Sequence, residues 1–372
     1  MEIEFTRTSE NRNSTVDTMK GILICMVVLG HTYNPFFTDF IYLFHVGVFF
    51  IISGYCFNQK YVNYFRGLMK LVRKRIKDLW IPYITYNFIF LLLQNFFIKI
   101  GFFTTSESYF NYNPITPDGY CSPVTINTAL ITLGKSLLFI DSRPFAGGLW
   151  FLGGLFFVTL GYAFLQFILK KLNFEKYHIV ISILFLVVGW LCITSNLYVK
   201  IPAGKQICII LITEVLFTLG TYIRNYCLFP ELNNVSYIWG FIYFYVLSYF
   251  LSSYDSISIA SVDIVNPIFY LAGIITGGIG TYCLAKLCPL FSYLGNRTIP
   301  ILALHLMSFK IISIIQWKIY NEDNVVLALY PVYNRSPILF WSIGNCIVGI
   351  VIPLLVCVFL SKFKICRFLL KC

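Results

Sequence analysis

The sequence predicts an all-α, polytopic integral membrane protein, and three features carry that prediction. Of the 372 residues, 58% are hydrophobic and only 12% are charged, about half the charged fraction of an ordinary soluble domain, and the mean hydropathy is +0.76. Apolar runs of about 20 residues, the length a helix needs to cross roughly 30 Å of hydrocarbon, recur along the whole chain. Lys and Arg gather in alternate connections between those runs. Hydrocarbon offers backbone N–H and C=O groups no water to bond, so each run reads as a helix that satisfies them internally.

The expected spans, about ten in all, are 19–36, 40–57, 79–100, 147–169, 178–195, 206–223, 236–252, 265–285, 299–319 and 336–360. Residues 1–18 form a polar segment of mixed charge ahead of them, unlike a cleaved signal. The first span has an apolar core of only about 11 residues around Gly21 to Leu29, so it is expected to be short or tilted. Between the second and third spans lie Lys60, Arg66, Lys70, Arg73, Lys74, Arg75 and Lys77, and a short loop this basic belongs in the cytoplasm. Alternation from there gives cytoplasmic segments 20 of the 28 Lys and Arg, including Arg7 and Arg12, and puts both termini inside. The expected organisation is one membrane domain over 1–372, with 101–146 as a long extracytoplasmic loop. That loop has a polar part at 112–123 and an amphipathic run at 125–140, expected to lie on the membrane surface. A loop this long is expected to roof or edge a site. Gly147, Gly148, Gly153 and Gly154 suit close helix packing, with Trp150 as an interfacial anchor. The outward loop Ser252 to Asp263, with Asp255 and Asp263, reads as an ordinary solvated connection.

Several function classes are disfavoured. The net charge of +12 sits at helix ends and forms no basic face, so no nucleic-acid partner is expected. Twelve cysteines are scattered without a C-x-x-C pair, which reads as small packing residues and not as a metal site. Walker, dinucleotide, H-E-x-x-H and G-x-S-x-G motifs are missing. No repeat or matched pair of interrupted helices is visible, which weakens an inverted-repeat transporter.

Against that background the ionisable groups inside the first two spans stand out, because each costs roughly 2.5–3.5 kcal/mol at membrane depth. Lys20 and His31 are eleven residues apart, about 1100° of helix, which returns them to one face within about 20° and separates them by roughly 16 Å. Asp17 falls on the same stripe. His31 can serve as a general base on a hydroxyl or carry an acyl group transiently, or simply bond a neighbouring helix. His45 is expected at similar depth, where it can support His31. Ser53, about 12 Å deeper, is a channel-lining candidate. Arg73, Lys74, Arg75 and Lys77 precede Leu79 to Tyr83, and such a cluster suits topology, anionic lipid or a polyanionic cofactor. His305 is a further intramembrane site candidate, whereas His178 is expected to be solvated at a helix start.

The motifs D-x-x-K-G-I with V-V-L-G-H (Asp17 to His31), F-H-x-x-x-F-F-I-I-S-G-Y (Phe44 to Tyr55), I-P-Y (Ile81 to Tyr83), L-W-F-L (Leu149 to Leu152) and G-N-x-T-I with L-H (Gly295 to His305) run through most of the chain. In them the sequence resembles the bacterial multi-pass acyltransferases of type 3, especially the fucose 4-O-acetylase-like branch. The resemblance implies a ten-helix domain in the bacterial inner membrane, with acetyl-CoA or another acyl-CoA as cytoplasmic donor. The implied acceptor is a hydroxyl of a cell-envelope polysaccharide or lipid-linked sugar. The family's cation eleven residues before its essential histidine matches Lys20 and His31. Its R-x-x-R pattern matches in part: Arg75 fits the first arginine, and Asp78, beside Lys77, occupies the second place. Gly148 stands where relatives often carry histidine. The resulting expectation gives Arg73, Arg75 and Lys77 the CoA phosphates, Lys20 and Asp17 the thioester end, and His31 the chemistry with His45 and His305 nearby. Ser53 is expected along the donor path, no metal is expected, and membrane lipid is the remaining partner. A transporter or flippase of a lipid-linked sugar is the alternative. A glycan polymerase is a weaker one, since Arg143 is the sole arginine of the 101–146 loop.

Overall fold

A computed structural model describes residues 13–113, 117–226, 231–254, 258–333 and 335–372. Arg7, Arg12 and Asp255 lie outside the described residues. The helices are α1 (Ser14–Gly30), α2 (Thr38–Tyr55), α3 (Phe65–Arg75), α4 (Ile81–Lys99), α5 (Ile126–Leu137), α6 (Trp150–Lys171), α7 (His178–Thr194), α8 (Gly204–Tyr226), α9 (Asn234–Ser252), α10 (Pro267–Leu287), α11 (Thr298–Ser308), α12 (Lys310–Tyr320), α13 (Ile338–Leu360) and α14 (Lys364–Leu370). The described residues contain two isolated bridges and no strand. The chain is therefore an all-α, polytopic membrane protein, as its hydropathy predicts.

Among the described residues nine helical stretches are long and apolar enough to cross a bilayer. The remaining expected span, the first, corresponds to α1, which has only 17 residues and so falls just short. It needs no lipid-facing length, because it is packed centrally against α2, α10, α11 and α13. Its approach to the turn before α11 is so close that a Cβ at Gly21 or at Gly295 would overlap the backbone of the other segment. A second such crossing joins α2 to α8, where Gly54 sits over Phe217 and Gly220 over Ile51. Small residues of this kind let helices associate where lipid leaves little hydrophobic drive between them. The outer helices α7, α9 and α13 leave most of their apolar side chains exposed, as lipid-facing helices do.

Three expectations are corrected. The basic connection between the second and third spans is largely helical. The amphipathic α3 carries Arg66 to Arg75, and a π turn at Ile76–Trp80 joins it to α4, making one 35-residue stretch. The amphipathic run 125–140 does not cap the bundle. It folds back along α4: Asn95 Nδ2 and Gln94 Nε2 donate to the Val124 and Ser122 carbonyls (both 3.0 Å), and Trp80 Nε1 donates to the Leu137 carbonyl (2.9 Å). These ties, from Trp80 in the π turn before α4 to Asn95 near its far end, lay α5 along the flank of α4. The chain then climbs back, with Tyr83 bonding Asp141 O (2.6 Å) and the Arg143 amide donating to Asn87 Oδ1 (2.8 Å). Finally, the loop near Asp263 is not simply solvated, since Ile259, Val262 and Ile264 are buried in the main core.

Candidate active site

A cavity of about 1150 Å³ lies within the bundle. At the end that carries the basic cluster it is lined by Lys20, Lys74, Arg75 and Asp78; at the other end by Tyr33, Asp118, Ser258, Ser261 and Tyr330. His31, His45 and Ser53 line it between these ends. Lys20 and His31 thus share the face that helical geometry assigns them. The segment after α5 contributes Phe139 to Ser142, and the start of α6 contributes Gly147 to Leu155. Trp150 belongs to this lining, so it is a wall of the cavity and not simply an interfacial anchor.

His31 occupies the C-terminal cap of α1, and its Nδ1 lies 2.7 Å from Val27 O. A carbonyl oxygen only accepts, so Nδ1 carries the proton and the neutral ring leaves Nε2 bare as a base. His45 and His305 do the same, with Nδ1 at 2.6 Å from Ile41 O and 3.0 Å from Ile301 O. The three rings gather from three helices: His31 is 5.0 Å from His305 and 6.2 Å from Tyr42, which is 5.4 Å from His45. His305 is wholly buried behind His31, with Nε2 lacking a hydrogen-bond partner among the described residues, and does not line the cavity. Gly148 makes room for this ring, since a Cβ there would come 3.3 Å from His305 Cε1.

Other expected residues fall differently. Asp17 is buried beneath Lys20, 3.6 Å from its ammonium, and stays off the cavity surface. It holds Lys20 and does not face a ligand. Arg73 and Lys77 point outward, and Lys77 sits 5.3 Å over the Phe368 ring. Successive helical residues turn about 100°, so a run of neighbouring cations cannot all face one cavity; Lys74 and Arg75 are the pair that does. Asp78 is not an uncompensated acid at this mouth. The Lys371 ammonium reaches it at 2.8 Å from the segment after α14. The π turn that presents Asp78 is a feature often found at functional sites.

His178 is not solvated. It is 5% exposed, its Nε2 lies 3.3 Å from Glu214 Oε1, its Nδ1 contacts Gln166 Oε1, and Tyr162 stacks on the ring at 4.6 Å. Sequence reasoning missed Glu214, a lone acid in the sixth apolar span. The cost of burying such a charge was the available signal.

A family profile described as an acyltransferase domain matches residues 13–362. The chain belongs to that acyltransferase family. Curated proteins and solved structures give no significant match to it. Within this membrane acyltransferase, His31 lines a cavity whose wall extends from Lys74 and Arg75 to Tyr33 and Asp118.

Proposed function

We propose that this acyltransferase is an O-acetyltransferase of the bacterial cytoplasmic membrane, acting on a hydroxyl of a cell-envelope polysaccharide or lipid-linked sugar, in the manner of the fucose 4-O-acetylase-like branch its motifs resemble. The basic end faces the cytoplasm and admits acetyl-CoA. Lys74 and Arg75 take the CoA phosphates, Arg75 as a forked donor, in place of the Arg73 and Lys77 expected from sequence. Lys20, held by Asp17, and Ser53 line the path of the pantetheine arm towards His31.

The acceptor enters from the opposite end. His31 Nε2 takes the proton of its hydroxyl as the oxygen attacks the thioester carbonyl. Collapse of the tetrahedral adduct breaks the C–S bond, and the imidazolium returns its proton to the departing CoA sulfur. His305 and His45 fix the ring environment without touching the reacting atoms.

The observation that carries this reading is that His31 lines the same cavity as Lys20, Lys74 and Arg75. The test is transfer of label from radioactive acetyl-CoA into envelope glycan by membranes holding the intact protein or His31→Ala at equal abundance. Label is expected only from the intact protein, with a drop of at least about 10² in the variant. Undiminished transfer by a folded His31→Ala protein removes His31 from the mechanism, and substrate movement without acyl-CoA dependence points to a flippase.

A further inference from the structure

Beyond His31 the cavity changes character. Tyr33, Tyr42, Tyr330 and Asp118 all line this end. Tyr33, two residues after His31, has φ +48°, a left-handed backbone that a bulky residue keeps only where its surroundings impose it. Both neighbours are completely buried and bonded: Thr32 Oγ1 donates to Leu29 O at 2.7 Å, and Asn34 Nδ2 donates to Ser342 Oγ at 3.1 Å. The turn is thereby pinned, and Tyr33 lines the cavity together with Tyr42. Tyr330 is held from the other side by its hydroxyl, which donates to Pro144 O at 2.6 Å.

Asp118 is placed with similar care. The Gly119 amide donates to the Tyr109 hydroxyl at 3.3 Å, and a Cβ at Gly119 would overlap Ala328 O and crowd the Tyr109 ring. Among the described residues, the Asp118 carboxylate makes neither an ion pair nor a side-chain hydrogen bond. Asp118 is exposed and lines the cavity.

We infer that this end of the cavity is an acceptor-sugar subsite, in which the Tyr33, Tyr42 and Tyr330 rings take the apolar face of a sugar ring and the Asp118 carboxylate accepts hydrogen bonds from its hydroxyls. The inference rests on the O-acyltransferase reading above and adds to it the residues that hold the acceptor sugar. A pyranose offers both an aliphatic C–H face that packs on aromatic rings and adjacent hydroxyl donors that a carboxylate binds in charge-assisted pairs. A simple alcohol or lipid lacks that combination.

The test compares the intact protein with Asp118→Asn and Tyr33→Leu, varying envelope glycan at saturating acetyl-CoA and then the reverse. Each variant is expected to raise the half-saturating glycan concentration about tenfold or more, about 1.4 kcal/mol, and to leave that for acetyl-CoA within about twofold. Unchanged glycan dependence in both variants, or an equal shift for acetyl-CoA, overturns the subsite. If even the intact protein transfers no label, the O-acetyltransferase reading has failed separately. Direct binding of labelled envelope glycan to the purified full chain then decides: binding lost in Asp118→Asn supports the subsite, and equal binding overturns it.

Discussion

His31, His45 and His305 each use Nδ1–H to satisfy the carbonyl one helical turn back. That habit removes the cost of a buried N–H and fixes the tautomer, so a helix interior orients its own base. Lys20 and His31 were legible because they lie on one helix, where the angle between side chains follows from their spacing. The fan of the basic run is equally arithmetical: Arg75 turns inward and Arg73 outward. Arg75→Gln is expected to raise the half-saturating acetyl-CoA concentration about tenfold or more, in keeping with about 1.5–3 kcal/mol for a charge-assisted bond. Arg73→Gln and Lys77→Gln should change it less than twofold, and initial rates against acetyl-CoA check all three. His305 could be suspected from sequence, but its contact with His31, a helix far away in the chain, could not. That contact depends on Gly148 leaving space for the ring.

At the level of elements, helix bounds were legible to within a few residues for most spans, because the membrane makes each run satisfy its backbone locally. What each helix packs against was not. Gly54 and Gly220 reveal the α2 and α8 crossing only once the two helices are seen backbone to backbone. Gly54→Val is expected to force the helices apart, costing about 1–3 kcal/mol or more as an overpacked contact does. Gly161→Val, on α6 with nothing within 4 Å of the added atom, should cost little. Size-exclusion chromatography of detergent extracts measures the difference as monodisperse protein lost in the first and kept in the second. The α5 hairpin shows how periodicity misleads: an amphipathic helix fits a membrane surface as well as it fits the flank of α4, and only the bonds from Trp80 and Asn95 distinguish them.

On the scale of the whole molecule, polar groups inside the bundle act as long-range fasteners. His178 and Glu214 join α7 to α8 beside Tyr162 of α6, with Glu214 Oε2 left without a hydrogen-bond partner among the described residues. His178→Ala leaves Glu214 buried without this partner, and a buried polar group left unsatisfied costs about 1–3 kcal/mol. A lower melting midpoint in a thermal-shift assay is expected, with acetyl transfer at low temperature nearly unchanged because the pair lies off the cavity. An unaltered midpoint would mean the pair fastens nothing. Lys371 and Asp78 make a similar tie between the end of the chain and the mouth of the cavity. The sequence by itself determined the class, the order of the helices and the Lys20 to His31 stripe, since hydropathy and helical pitch are local properties. Only the tertiary structure decided that His305 stands behind His31, that Lys74 and Arg75 face the cavity, that His178 is buried, and that Tyr33 and Asp118 line the same cavity as His31. Each of those outcomes depends on contacts between segments far apart in the chain, and in a medium of low dielectric such contacts set the cost of every buried polar group.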